Sequence, residues 1–322
     1  MSQNTDCNNN KKKIALIGAP TDIGAGTRGC SMGPESLRIA GIKQAIEHLD
    51  YDVTDLGDVT GPANPQQQPV EGLRHIDEVV AWNKAVKDGL TKAYNENYLP
   101  IMLGGDHCLA IGSIAAAREH CKNTRKKLFV FWLDAHADFN TSQTSPSGNI
   151  HGMPVATSCG IGDQRLLNIL PDSKSLPANQ VIQIGIRSVD EDERVLLWNQ
   201  GVHVFDMRKI DEIGMRAVME QALEIIDGDD VHLHVSFDAD FLDPAIAPGV
   251  GTPVQGGVNY REAQLCMEMI YDSGALGSID IVEVNPALGN KNKTAELAIE
   301  LVESMLGKNI LLRKKPRQPA DL

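Results

Sequence analysis

The sequence is poor in aromatic residues, which make up 4% of its 322 residues, and it lacks a basic surplus, since its net charge is −13. The low aromatic content argues against a platform on which single-stranded nucleic-acid bases stack. The acidic surplus argues against a non-specific nucleic-acid binder, which needs a basic surface. We therefore expect no nucleic-acid partner.

Cysteine pairs and long apolar segments are also missing. The six cysteines contain no C-x-x-C pair, and their scattered positions are typical of a reducing cytoplasm rather than of a disulfide scaffold. Residues 1–13 are rich in Asn and Lys and show no secretory signal pattern. The apolar run Leu128–Leu133 is far shorter than the roughly 20 residues that span a membrane. We expect a cytoplasmic protein without a membrane partner.

Eight short apolar runs alternate with longer amphipathic segments. Most of these runs are continuously hydrophobic, which is typical of strands buried on both faces, and the alternation predicts a parallel sheet covered by helices. The predicted strands are Ile14–Gly18, Val53–Leu56, Pro100–Leu103, Leu128–Leu133, Val181–Ile186, Val202–Phe205, His232–Phe237 and Ser278–Val282. We expect one α/β domain over residues 14–307, with about eight parallel strands and helices on both faces. A disordered polar segment (1–13) and a basic tail (308–322) are expected to flank it.

Local signals predict the bounds of several helices. Pro34 stands near a helix start, and Asn259 with Glu262 three residues later resembles a capping box. Gly274 is a suitable end for that helix, and Thr294 is expected to cap the last one.

The segment DAHAD, residues 134–138, directly follows the apolar run that ends at Leu133. In an extended strand end, alternate side chains project to one side, which would direct Asp134, His136 and Asp138 towards one point. Two buried carboxylates and an imidazole are unfavourable together unless a cation neutralises them. The segment therefore predicts a divalent metal site, although a capped turn around a core histidine would show the same residues.

Two further segments end predicted strands in the same way. Asp238 and Asp240, in SFDAD, share one face beyond the run His232–Val235. His107 ends the segment GGDH, whose glycines allow a tight path that leaves this histidine exposed at a strand end, although such a turn is more often structural in isolation. All of these residues lie at carboxyl ends of predicted parallel strands, where open α/β sheets place their sites.

Together these segments supply two histidines and four aspartates, more than the three protein ligands of a typical catalytic zinc. An oxygen-rich set with some imidazole favours Mn(II), with Co, Ni or Fe as further candidates. Two such ions about 3.5 Å apart can share a water, lower its pKa and hold it as a hydroxide nucleophile. We therefore predict a hydrolase with two Mn(II) ions per chain.

The three motifs, in this order and spacing, resemble the ureohydrolase family and, within it, the arginases. The resemblance runs from about Ile14 to Gly307 and includes the segments NTSQTSPSGNIHG (140–152), GPESLR (33–38), RSVD (187–190), GTPVQGG (251–257) and DIVEVNP (280–286). The S-G-N pattern is typical of arginases and is absent from agmatinase-type relatives. The resemblance implies an arginase/deacetylase-like fold, hydrolysis of L-arginine to L-ornithine and urea, and a homo-oligomer, either a trimer or a hexamer.

The resemblance also implies a role for each matching metal ligand. One manganese ion would be held by His107, Asp134, Asp138 and Asp238, and the other by Asp134, His136, Asp238 and Asp240, so that two aspartates bridge. A hydroxide between the ions, steadied by Asp138, would attack the guanidinium carbon of arginine.

Substrate-binding and proton-transfer roles follow from the same resemblance. His151 would carry a proton to the departing amine, and the carboxylate of Glu283 would pair with the planar guanidinium. The α-carboxylate would be recognised by Asn140, Ser147 and Asn149, the α-amino group by Asp190 and, through water, Glu193, and Thr252 would line the pocket.

Two residues depart from the family pattern. Cys108 stands where a serine commonly follows the GGDH histidine, and Phe241 stands at a position that is often small. Either change could alter metal affinity, and neither removes a ligand. We expect Cys108 to be a buried, inert thiol rather than an oxidation site.

Three different functions have some support in the sequence besides arginine hydrolysis. The first is a nucleotide-binding oxidoreductase, because the segment GAGTRG, residues 24–29, matches the dinucleotide-binding pattern G-x-G-x-x-G, with acidic residues at Asp50 and Asp52. Its third glycine is not expected to open a helix, so a phosphate would lack a helix terminus. The second is an amidinohydrolase for another guanidino compound, such as agmatine, and the third is a metal-binding paralogue without catalytic activity.

Overall fold

The computed structural model of the protein describes residues 11–170, 175–226, 228 and 230–311. Within this part of the chain, eight strands form one parallel sheet. The strands are β1 (Lys13–Ala19), β2 (Asp52–Asp58), β3 (Leu99–Gly104), β4 (Lys127–Leu133), β5 (Val181–Ile186), β6 (His203–Asp206), β7 (Val231–Asp238) and β8 (Leu276–Val282). Each of them overlaps a strand predicted from the sequence.

Helices connect the strands and cover both faces of the sheet. They are α1 (Gly33–Ile39), α2 (Ile42–Glu47), α3 (Ile76–Asn95), α4 (Ala110–Thr124), α5 (Pro154–Ser158), α6 (Gln164–Leu167), α7 (Glu191–Gln200), α8 (Met207–Ile225), α9 (Tyr260–Ser273) and α10 (Lys293–Met305). Alternate residues of β1 enter two separate apolar cores, since Ile14 and Leu16 pack on one face while Ala15 and Ile17 pack on the other. The expected α/β fold with helices on both faces is confirmed.

The strand order decides which loops meet. It runs β2-β1-β3-β8-β7-β4-β5-β6, so β8 and β7 lie between β3 and β4. The four central strands β3, β8, β7 and β4 therefore bring their carboxyl ends to one region of the sheet edge. At the carboxyl end of each of these strands lies one of the motifs singled out in the sequence.

Most predicted helix signals are confirmed, and one is wrong. Asn259 and Glu262 form a capping box at the start of α9, which ends at Gly274 in the left-handed conformation. Thr294 does not cap α10, because the N-cap is Asn292. The hydroxyl of Thr294 instead accepts a hydrogen bond from the backbone of Gly249 at 2.8 Å.

The predicted terminal segments fall largely outside the described residues, which begin at Lys11 and end at Leu311. Within the described part of the chain, none of the helices combines the length and the apolar character that crossing a membrane requires.

Candidate active site

The imidazole of His107, which the sequence predicted to be exposed, is instead buried at the centre of a cluster of buried carboxylates. Its Nδ1 is 3.0 Å from Oδ2 of Asp134, 3.3 Å from Oδ2 of Asp138 and 3.1 Å from Oδ2 of Asp238. His107 follows β3, Asp134 and Asp138 follow β4, and Asp238 is the last residue of β7. These strands come together only through the order of the strands in the sheet. Three carboxylate oxygens around one ring nitrogen form a compact, oxygen-rich set of donor atoms.

A second cluster shares Asp134 with the first. Nδ1 of His136 lies 3.4 Å from Oδ1 of Asp134 and 3.2 Å from Oδ2 of Asp240. Donor atoms of His107, Asp134 and Asp238, and those of Asp134, His136 and Asp240, lie within 4.8 Å of one another in each trio. The two oxygens of Asp134 thus face different histidines, as a bridging carboxylate requires.

The pairing of the sheet continues past β4 as far as His136, and the chain then turns. Strand β4 ends at Leu133, but His136 still forms a parallel bridge with Ser188. Asp138 has a φ of 48°, in the left-handed region that non-glycine residues rarely adopt. This strained turn, and not alternation along the strand alone, brings the carboxylate of Asp138 to 3.3 Å from His107. Strained backbone of this kind persists where the surrounding structure holds it, often at functional sites.

The donor atoms fit a cation. Nδ1 of His107 and Oδ2 of Asp134 are buried without a hydrogen-bond partner among the described residues, although they lie 3.0 Å apart. Burial and the nearby carboxylates raise the pKa of Asp138 and of Asp238 well above the ordinary value. Buried carboxylates that repel one another become favourable when a divalent ion neutralises them.

The ring of His107 is held on its other side by two contacts. Its Nε2 lies 2.8 Å from Oγ of Ser236, and the ring stacks on Trp132 with centroids 3.9 Å apart and planes 3° from parallel. A hydrogen bond at Nε2 fixes the orientation of the ring and leaves Nδ1 directed at the carboxylates.

His151 and Glu283 form a pair next to this cluster. Nδ1 of His151 lies 2.9 Å from Oε1 of Glu283. Burial would lower the pKa of His151, but the Glu283 carboxylate outweighs it and raises the pKa. Burial would likewise raise the pKa of Glu283, but the hydrogen bond from His151 lowers it. The geometry therefore favours an imidazolium beside an ionised carboxylate.

Two further donors hold the carboxylate of Glu283. Its Oε1 accepts from the backbone N–H of His107 at 3.0 Å, and its Oε2 accepts from the thiol of Cys30 at 3.1 Å. The backbone at Glu283 has a φ of 59°, so this residue is also strained. No pattern in the sequence indicates that Cys30 lies here.

A cavity of about 240 Å³ opens in front of the cluster. All the residues predicted to bind substrate line it, although they come from loops far apart in the sequence. The lining consists of His107, His136, Asp138, Asn140, Ser145, Ser147, Asn149, His151, Gly152, Ser188, Asp190, Glu193, Asp238, Thr252 and Glu283. Ser145, Gly152 and Ser188 also line it. They lie in the segments 140–152 and 187–190 that the sequence singled out, but no role was predicted for them.

Hydrogen bonds orient the polar groups on the outer side of this cavity. Nδ2 of Asn140 donates to Asp190 at 2.9 Å, and its Oδ1 accepts from the hydroxyl of Thr144 at 2.9 Å. Asp190 caps α7 in a capping box with Glu193. Burial raises the pKa of Glu193 to about 7, in spite of the hydrogen bonds that its carboxylate accepts from the backbone of Phe139 and Asp190.

Thr252 and Asp106 support the site indirectly. The hydroxyl of Thr252 donates to Oδ2 of Asp240 at 3.1 Å, so this residue contacts a predicted ligand as well as the cavity. Asp106 is buried, and its carboxylate accepts from the backbone N–H groups of Gly24 and Cys108 at 2.9 Å each. It thereby ties the loop after β1 to the turn that presents His107.

The two departures from the family pattern are both fully buried. The thiol of Cys108 packs beside Gly24, and burial raises its pKa well above the ordinary value. The ring of Phe241 packs against Gly185, where an added Cβ would lie 2.6 Å from the ring and where φ is +95°. The absence of a side chain at Gly185 therefore makes room for Phe241.

The glycine-rich segment 24–29 leads into a three-residue 3₁₀ helix (Cys30–Met32), for which Gly29 is the N-cap, so the expectation that this glycine precedes no helical turn is wrong. The α-helix α1 begins at Gly33. Asp22 holds the segment through hydrogen bonds from the backbone of Gly29 at 3.0 Å and the guanidinium of Arg28 at 2.9 Å. The backbone N–H of Gly29 is therefore already bound to a carboxylate, at the position where a dinucleotide-binding motif directs such donors to a phosphate.

Comparison with known proteins agrees with this geometry. The model of the arginase family matches residues 12–307. Arginase from Bacillus subtilis is 45% identical over 93% of this chain and 99% of its own length. A crystal structure of arginase from that organism superposes on this structure with a TM-score of 0.86 and 44% sequence identity. The superposition covers 94% of this chain and 100% of that one. A hypothetical agmatinase from Burkholderia thailandensis is more distant, with a TM-score of 0.69 and 25% identity over 92% of this chain and 85% of that one. The chain belongs to the arginase family.

Proposed function

We propose that this protein hydrolyses the guanidino group of L-arginine to give L-ornithine and urea. The observation that carries the proposal is a pair of acidic clusters sharing Asp134, next to the pair His151–Glu283, at one cavity. The similarity to proteins named arginase over nearly the whole chain supports the same function.

We assign the metal ligands as the family resemblance implies them. His107, Asp134, Asp138 and Asp238 would hold one Mn(II) ion, and Asp134, His136, Asp238 and Asp240 the other. When bound, the two ions supply Lewis acidity, which makes a water molecule nucleophilic near neutral pH. The buried, unpartnered donor atoms of His107 and Asp134 support this assignment.

Glu283 is assigned to the guanidinium of the substrate. An ionised carboxylate can accept two parallel N–H bonds from a planar guanidinium, which orients it as well as binding it. The low pKa of Glu283 keeps the charge that this contact needs. Fixed orientation matters because the guanidinium carbon is a poor electrophile that reacts only with a well-placed nucleophile.

His151 is assigned to proton transfer. The departing amine needs a proton, and a histidine held beside a carboxylate is suited to deliver one. Since an ionised carboxylate can only accept, Nδ1 of His151 carries the hydrogen of the bond to Glu283. Its Nε2 is then the nitrogen that exchanges a proton with the reacting groups.

The α-carboxylate of the substrate is assigned to neutral donors, and its α-amino group to two acidic residues. Asn140, Ser147 and Asn149 line the cavity with amides and a hydroxyl, which bind a carboxylate without attracting the cationic end of arginine. Asp190 and Glu193 are assigned to the α-amino group. Agmatine lacks the carboxylate that the S-G-N segment would recognise, so this geometry favours arginine over agmatine.

Urea release across a panel of guanidino compounds tests the proposal. The full-length protein, loaded in turn with Mn(II), Co(II), Ni(II) or Fe(II), would be assayed with L-arginine, agmatine and other guanidino acids. We expect the fastest urea release from L-arginine with Mn(II). Equal or faster release from agmatine would contradict the assigned substrate and leave the metal assignment intact. A cytoplasmic location and a homo-oligomer remain predictions from the sequence.

A further inference from the structure

The guanidinium of Arg74 contacts the side-chain amide of Asn149. Nε of Arg74 donates to Oδ1 of Asn149 at 2.8 Å. A guanidinium carries only donors, so the amide oxygen must face it and the NH₂ group must face away. The contact thus determines which end of the Asn149 amide is presented elsewhere.

The other side of this amide borders the backbone of the loop after β1, and Asn149 also lines the cavity. An added Cβ at Gly26 would lie 2.8 Å from Nδ2 of Asn149, so the NH₂ group packs directly on this glycine. Reversing the amide would place its donors against the guanidinium and lose a charge-assisted hydrogen bond, which is stronger than one between neutral groups. Asn149 is therefore held in one orientation.

Arg74 is itself anchored to the wall of the cavity. Its backbone N–H donates to the carbonyl of Gly148 at 2.8 Å, and its Nη1 donates to the carbonyl of Gln67 at 3.1 Å. The next residue, His75, binds the carbonyl of Ile23 through Nδ1 at 2.9 Å and accepts at Nε2 from the backbone of Gln67 at 2.9 Å. These bonds tie the loop before α3 to both of the loops that surround Asn149.

We propose that Arg74 is a positioning residue for recognition of the substrate α-carboxylate. It fixes the amide of Asn149 so that the NH₂ donors are available to the carboxylate, and it places a permanent positive charge one side chain behind them. The inference rests on the proposed function, since it concerns the end of the substrate that distinguishes arginine from agmatine. No motif in the sequence points to Arg74.

The proposal predicts a selective effect on substrate preference. Arg74→Ala frees the Asn149 amide to rotate and removes the charge, so kcat/KM for L-arginine should fall by at least about tenfold, mainly through KM. Agmatine has no carboxylate, so its kcat/KM should change less than about threefold. Arg74→Lys keeps the charge without the planar fork and should lie between the two.

The experiment uses the full-length, manganese-loaded protein. Steady-state kinetics with L-arginine and agmatine would be measured for the wild type, Arg74→Ala, Arg74→Lys, Asn149→Ala and the double variant Arg74→Ala/Asn149→Ala. Arg38→Ala is the matched control, since Arg38 also binds side chains, those of Asp55 and Asp58, but on the edge strand β2. Calorimetric binding of L-ornithine and of putrescine gives a readout that does not depend on turnover.

We expect the double variant to be little worse than Asn149→Ala, because Arg74 acts through that amide. The inference would be overturned if Arg74→Ala kept the wild-type preference for arginine over agmatine and for ornithine over putrescine. Fully additive losses in the double variant would overturn it as well. If Arg74→Ala does not fold, Arg74→Lys decides by the same ratios. Absence of urea release from arginine by the wild type would instead refute the proposed function.

Discussion

Nδ1 of His151 lies 2.9 Å from Oε1 of Glu283, and the same oxygen accepts the backbone N–H of His107 at 3.0 Å. One carboxylate thus links the predicted proton carrier to the turn that holds a predicted metal ligand. Any movement of Glu283 would change both the orientation of the imidazole and the position of the cluster. The proposed binding of the guanidinium by Glu283 and the proposed proton transfer by His151 therefore depend on the position of the same carboxylate.

Substitution of His151 should affect turnover rather than metal content. We expect His151→Ala to lower kcat by about 10²- to 10⁴-fold, the usual contribution of a positioned proton donor. Metal analysis should still give about two ions per chain, because His151 is not among the proposed ligands. Loss of metal in this variant would identify His151 as a ligand instead.

Removal of metal should abolish activity and lower stability. Chelation leaves the buried carboxylates of the cluster without a counter-charge, so we expect urea release to stop and to return with Mn(II). Calorimetry should show Mn(II) raising the unfolding temperature, since an ion at 100 times its Kd contributes about 2.7 kcal/mol. Asp134→Asn should lose most of this response, whereas Asp55→Asn, on the edge strand β2, should keep it. Activity that survives stringent removal of metal would contradict the assignment.

The neutral donors Asn140 and Ser147 should control substrate preference. We expect Asn140→Ala and Ser147→Ala each to reduce the ratio of kcat/KM for arginine to that for agmatine by about tenfold, the loss of one hydrogen bond to a charged group. Ser142→Ala provides a control in the same loop. A ratio that stays constant in all three variants would remove these residues from substrate recognition.

Acid should destabilise the protein through His232. This histidine is buried, and burial together with the charge of His234 lowers its pKa to about 3. The unfolded chain binds a proton here below about pH 6.5, whereas the folded chain does not, so stability is lost as the pH falls from about 6.5 towards 3. This group contributes at most about 1.4 kcal/mol per pH unit in that range.

Denaturant unfolding at several pH values measures this contribution. In the metal-free protein, the free energy of unfolding should fall more steeply between pH 6.5 and 4.5 in the wild type than in His232→Gln. His48→Gln, at the end of α2, is the surface control and should follow the wild type. Equal slopes for the wild type and His232→Gln would show that His232 is protonated in the folded chain.

Sequence reasoning was most reliable where physical constraints act within a few residues. Continuous apolar runs predicted the central strands of the described sheet, because strands buried on both faces tolerate little else. The edge strands β2 and β6 are largely exposed and contain polar residues, and they were found from shorter runs. The capping box at Asn259 was equally local. Thr294 was misassigned because its hydroxyl serves a distant backbone group, Gly249, which no local pattern reveals.

The candidate site shows the same difference between what local sequence patterns predict and what long-range contacts decide. The sequence determined the chemistry: which carboxylates and imidazoles end each strand, and that such groups need a cation. Only the tertiary structure decided their assembly, because the order β3-β8-β7-β4 places strands from opposite halves of the chain side by side. It also supplied Cys30 behind Glu283 and Arg74 behind Asn149, contacts between residues 253 and 75 positions apart. A side chain that acts by touching one distant partner leaves no periodicity or spacing in the sequence, so its role becomes visible only once the chain is folded.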